Sequence, residues 1–123
     1  MIYQTAEESR EAGVAYHLVP APLWQEFAGE PAYVPDSYDA DGFIHCTNGL
    51  APLRDVANMF YAGDARDHLV LVLDVTRITS EVRYDDPERI YPHIYGPLNV
   101  DAVIDVLVAE QDADGTFIGF RER

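Results

Sequence analysis

A chain of 123 residues, 48% of them apolar, suits one globular domain that can bury a core without disulfide or metal staples. Its 22 acidic residues face eight basic ones, all arginine, and the net charge of −14 argues against nucleic acid or an anionic membrane as a partner. The absence of lysine excludes Schiff-base chemistry and a phosphate-loop lysine, and a single cysteine excludes an internal disulfide or a multi-cysteine metal centre.

Neither an N-terminal apolar run nor a long apolar segment is present, so no signal peptide or membrane span is expected, and the cytoplasm is the expected location. Residues 1–13 show little apolar periodicity and read as a flexible lead-in, with a short exposed helix as the alternative. The single domain is expected over 14–123. Val14 to Val19 is a β-rich run and the first strand. Pro22 suits the first turn of a helix carrying Leu23, Trp24 and Phe27, which Gly29 can close. Residues 30–42 are rich in proline, aspartate and glycine and read as a loop, with Tyr33 and Tyr38 able to line a site beneath it. The aspartates there lack the glutamate spacing of a helix–loop–helix calcium site.

Gly42-Phe43-Ile44-His45-Cys46-Thr47-Asn48 reads as a short buried strand running into a helix. Alternation puts Phe43, His45 and Thr47 on one face and Ile44 and Cys46 on the other. Leu53, Val56, Ala57 and Phe60 then recur at helical spacing, the strongest amphipathic signal in the chain, and the helix ends near Gly63. Leu69 to Val75 is a continuous apolar run, as expected of a strand covered on both faces. Val82 to Asp85 follows as a strand. Tyr91 to Leu98 carries two prolines and reads as an edge or irregular strand. Asn99 to Ala102 reads as a turn, Val103 to Val108 as a strand, Asp112 to Gly115 as a hairpin turn and Thr116 to Phe120 as the returning strand. Early strand–helix units followed by several strands argue an α+β fold: a split, mostly antiparallel sheet with two or three helices.

Three histidines lie in apolar segments: His17, His45 and His93. Their convergence would make a small polar site in an apolar cleft. Imidazole titrates near neutrality and both donates and accepts hydrogen bonds, so His17 and His45 are the candidate catalytic pair. Tyr38, Arg54, His93, Tyr95, Gly96 and Asn99 are candidate ligand contacts: Tyr95 for stacking, Gly96 for close backbone approach, Asn99 as an amide pair. The competing reading of each is structural: a histidine satisfied inside a strand, Arg54 on the surface, Tyr95 in sheet packing. The three histidines with Cys46 have donors for a transition metal, but no His-x-x-x-His spacing occurs and alternation turns Cys46 away from His45. No metal site is assigned from the sequence. Cys46 itself reads as inert packing.

Tyr16-His17-Leu18-Val19 with Trp24, Gly42-Phe43-Ile44-His45-Cys46-Thr47, Val56 to Tyr61 and Pro92-His93-Ile94-Tyr95-Gly96-Pro97-Leu98-Asn99 together resemble the motifs of a family of small bacterial proteins, the domain of unknown function 952. The resemblance runs from Tyr16 to about Leu107. It implies a fold like that of ADP-ribosyltransferases, a compact split sheet with NAD in the cleft between its halves. It further implies that His17 orients a nucleotide and that the region of His45 lies near the nicotinamide. The late motif offers His93, Tyr95 and Asn99 but no carboxylate to stabilise an oxocarbenium-like state. The expected partner is therefore a small-molecule or nucleotide ligand of the NAD type. Three readings stand side by side: an NAD-using enzyme, a non-catalytic binding domain in the same cleft, and a metal-dependent hydrolase.

Overall fold

The structure, a computed structural model, describes residues 2–123. Strands β1 (Val14–Pro20), β4 (His68–Asp74), β8 (Val103–Gln111) and β9 (Phe117–Glu122) form an antiparallel sheet in the order β1-β4-β8-β9. The apolar run after His68 is the interior strand β4, and both of its faces are covered as its composition demands. Leu69, Leu71 and Leu73 pack into one core with Ala15, Val19 and Trp24, whereas Val70 and Val72 pack into another with Tyr16, Leu50 and Phe117.

A second antiparallel sheet has the order β3-β6-β5, from β3 (Ile44–His45), β6 (Pro92–Tyr95) and β5 (Glu81–Tyr84). Its inner face presents Ile44 and Ile94, both fully buried, with Val82 packed against the same core. The proline-flanked stretch 91–98 is thus not an edge: β6 is the central strand. Pro92 is its first residue, and its carbonyl still accepts from Cys46 N–H at 3.0 Å. The missing proline N–H therefore falls where it disrupts the ladder least. A two-stranded pair, β2 (Ala32–Tyr33) with β7 (Leu98–Asn99), completes an α+β arrangement in which every pairing is antiparallel.

Among the described residues four α-helices are present rather than two or three: α1 (Ala6–Glu11), α2 (Ala21–Phe27), α3 (Tyr38–Asp41) and α4 (Leu50–Phe60). Helix α3 is a single turn inside the expected loop, ended by Gly42 at φ +77°. Helix α1 lies in the stretch read as a flexible lead-in. It is set by a capping box: Thr5 accepts from Glu8 N–H, and the Glu8 carboxylate accepts from Thr5 N–H. That signature needs no apolar periodicity, so a search for periodicity passes over it. The helix is tied down by Ser9 and Asn48, both buried and both donating to the Val14 carbonyl, while Tyr84 O–H donates to Asn48 at 2.6 Å. Gly49 lets this segment dock: a Cβ there would stand 2.7 Å from the Thr5 carbonyl carbon. Among the described residues no helix is long and apolar enough to cross a membrane.

Candidate functional site

The two larger sheets share a core and are joined at their edges by a backbone bridge. Tyr16 and Thr47 exchange backbone hydrogen bonds at 2.8 Å in each direction, on the free edge of β1. The next residue on β1 is His17, and here a side chain takes over from backbone pairing. Its Nδ1–H donates to the His45 carbonyl at 2.6 Å. A carbonyl only accepts, so this bond fixes the tautomer: Nε2 carries the lone pair and accepts the Tyr33 hydroxyl at 2.8 Å. Tyr33 is itself held by edge contacts from Trp24, Phe27 and His17.

Beyond the bridge lies a cavity of about 510 Å³, within the usual range for small-ligand pockets. Leu18, Leu23, Leu53, Val56 and Phe60 supply apolar walls, and His17, Tyr33, Asp36, Asp41, His45 and Arg66 the polar groups. The amphipathic stripe of α4 divides between two tasks. Leu53 and Ala57 are buried, while Val56 and Phe60 join Leu53 in the cavity wall and Phe60 is 71% exposed.

Electrostatics separate the inner wall from the mouth. Burial drags the His17 pKa down to about 4, against the hydrogen bond to the His45 carbonyl, so the ring is neutral near pH 7. Burial likewise pushes the Tyr33 hydroxyl far above the ordinary phenol range. At the mouth His45 is 55% exposed, and its Nε2–H meets Asp41 Oδ2 at 2.9 Å. Arg66 forks onto Asp64, with Nε 3.0 Å from Oδ1 and a terminal nitrogen 2.6 Å from Oδ2. Hydrogen bonding from Arg66 holds Asp64 well below the usual carboxylate range. His68, passed over in the sequence, stands behind this pair. It is buried, its Nε2 lies 3.5 Å from Asp64 Oδ2, and neither ring nitrogen has a hydrogen bond among the described residues.

The expected site residues divide. His17 and His45 line the cavity together. His93 abuts His45 with ring centroids 5.3 Å apart, but it stands on the outer face of the three-stranded sheet, beside Tyr95 and outside the cavity lining. Tyr38 is half-buried and packs against the core next to the mouth without lining it. Arg54 is exposed on α4 beside a separate pocket formed with Gln4 and Phe120. Gly96 has φ +148°, and a Cβ there would meet Ser80 Oγ at 2.5 Å, so its close approach is to this protein's own chain. The Asn99 amide is engaged internally: it accepts from Thr79 N–H at 3.0 Å and donates to the Arg77 carbonyl at 2.9 Å. Cys46 is buried and its thiol pKa is raised by that burial, in keeping with packing.

Asp41, Asp64, Arg66 and Asp85 were not singled out in the sequence. Asp41 precedes His45 by four residues across a tight turn. Asp85 follows β5 and reaches His93 because Tyr84 pairs with Pro92. Hairpin register was the only signal for that second partnership.

The sequence profile described as "Protein of unknown function (DUF952)" matches residues 18–106. The fold is similar to that of the protein CC0527 from Caulobacter crescentus. Its crystal structure gives a TM-score of 0.72 at 21% identity, over 85% of this chain and 93% of that one. Its solution NMR structure gives 0.67 at 23% identity, over 84% and 90%. No curated protein matches the chain.

Proposed function

The chain belongs to the DUF952 family, and from its cavity we propose that it is a small-molecule binding protein that takes the nicotinamide–ribose end of an NAD-like nucleotide. The observation that carries this reading is the His17–Tyr33 pair, two buried and oriented polar groups on the inner wall of a cavity with large apolar walls. The apolar side chains of α4 and Leu23 suit a flat ring. Asp36 and Asp41 at the mouth complement a pyridinium cation, and Arg66 is the group for a phosphate. His17 acts as a positioning residue, since its Nδ1 is committed to the His45 carbonyl and its burial keeps it neutral. His45, oriented by Asp41 and open to solvent, is the group able to move a proton.

Titration calorimetry with NAD, nicotinamide riboside and inorganic pyrophosphate tests this. NAD and the riboside bind and compete, and pyrophosphate alone does not. Tyr33→Phe, which removes only the hydroxyl, weakens NAD by about tenfold or more. Absence of any heat with NAD or the riboside at millimolar concentration overturns the reading. Following free nicotinamide in the same mixtures separates binding from turnover. A second reading, a binder of a phosphate-free cation, draws on one fact: Arg66, the only arginine lining the cavity among the described residues, is already forked onto Asp64. Riboside binding as tight as NAD binding selects it.

A further inference from the structure

The outer face of the three-stranded sheet carries a second arrangement of imidazoles, which shares His45 with the cavity. His45 and His93 are direct cross-strand partners on β3 and β6. Cys46 donates to the Pro92 carbonyl, so the neighbouring His45–His93 pair is of the non-hydrogen-bonded type, in which side chains stand closest. Their ring centroids are 5.3 Å apart. Phe43 stacks on His93 at 4.1 Å and meets His45 edge-on at 4.7 Å, which limits how either ring can turn.

Each imidazole also has its own carboxylate. His45 Nε2–H donates to Asp41 at 2.9 Å, and His93 Nδ1–H donates to Asp85 at 2.9 Å. A neutral imidazole with one nitrogen donating to a carboxylate carries its lone pair on the other. That is the state in which histidine binds a metal, and such carboxylates raise its basicity and fix its orientation. The two free nitrogens are therefore His45 Nδ1 and His93 Nε2, and neither has a hydrogen bond among the described residues. Asp85 is anchored in turn by the Tyr95 hydroxyl.

We propose that His45 and His93 form a two-imidazole site for a divalent transition metal, with Asp41 and Asp85 as orienting partners and water in the remaining positions. A metal–nitrogen bond of about 2.0–2.1 Å puts a ring centroid roughly 3 Å from the ion, so the centroid spacing leaves room for one ion between the two rings. The protein's donor set here is these two imidazoles: among the described residues no group of three ligating side chains that could hold a metal converges. Imidazole donors select copper, nickel and zinc over magnesium or calcium, with copper tightest. The net charge of −14 adds a field that draws cations in. This proposal shares His45 and Asp41 with the nucleotide reading, but metal titrated without nucleotide tests it, so either can fail while the other stands.

The experiment titrates Cu²⁺, Zn²⁺ and Mg²⁺ into the full chain, freed of metal with a chelator and exchanged into plain buffer, by calorimetry. Electron paramagnetic resonance follows the Cu²⁺ sample. One Cu²⁺ binds per chain with coupling from two imidazole nitrogens, Zn²⁺ binds more weakly, and Mg²⁺ gives no heat. His45→Ala and His93→Ala each weaken Cu²⁺ by about tenfold or more, and Asp85→Asn by about tenfold, the lower end of the effect of an outer-shell partner. His45 is exposed, so its replacement leaves the fold intact and decides the matter even if His93→Ala fails to fold. Cu²⁺ affinity unchanged by His45→Ala, or Mg²⁺ binding as tight as Cu²⁺, overturns the proposal.

Discussion

In the four-stranded sheet a histidine, His17, is buried, neutral and bonded at both ring nitrogens. In the three-stranded sheet His45 and His93 stand on the outer face, each against a carboxylate with one nitrogen left over. All three come from short apolar segments that look alike in sequence. The difference lies in how many faces each sheet has covered. Helix α4 packs on one side of the larger sheet, and α2 with the smaller sheet on the other. The smaller sheet buries only the face of Ile44 and Ile94. The layer above it, and not its neighbours in the chain, therefore makes His17 neutral and fully bonded and leaves His45 and His93 with one nitrogen each to spare.

The comparison breaks most visibly in the doubly covered sheet. Leu71→Ala, at the centre of β4, is expected to cost about 2–5 kcal/mol in urea unfolding, because the cavity it leaves cannot collapse. A loss below about 1 kcal/mol would mean that the sheet is not packed on both faces. Next in size is the pH response of His17. Its pKa falls from 6.5 to about 4 on folding, so the unfolded chain takes up this proton more readily. Its contribution to stability is full above pH 6.5 and is lost as pH falls through that window, by on the order of 3 kcal/mol. The difference between the parent and His17→Gln in unfolding free energy, measured in chelator across this range, reads it; a flat difference would refute the buried neutral ring.

Gly96→Ala is expected to cost about 1–3 kcal/mol, since φ +148° and the approach of Ser80 both oppose a side chain. A melting temperature unchanged from the parent would restore the idea that this glycine makes room for a ligand. The smallest effect belongs to the outer face: Asp85→Asn leaves the melting temperature where it was, because Asp85, although hydrogen-bonded to both His93 and Tyr95, is exposed. A large drop there would make those contacts structural and erase the contrast between the faces.

Much of this architecture was legible in residue order. The β4 run, the hairpin at Asp112–Gly115, the α4 periodicity and the Pro22 helix start each rest on local rules, and the strands and helices follow them. The site was legible in part. Alternation correctly set His45 apart from Cys46, but it could not tell that His17 would spend its Nδ1 on the His45 carbonyl. Nor could it tell that Asn99 and Gly96 would face their own chain. Local rules act through backbone sterics and periodicity within a few residues, so the order of amino acids by itself determined the elements and which side chains share a face. Which faces are covered, which nitrogen keeps its lone pair and where the cavity opens depend on desolvation and on partners tens of residues away. Those only the tertiary structure decided.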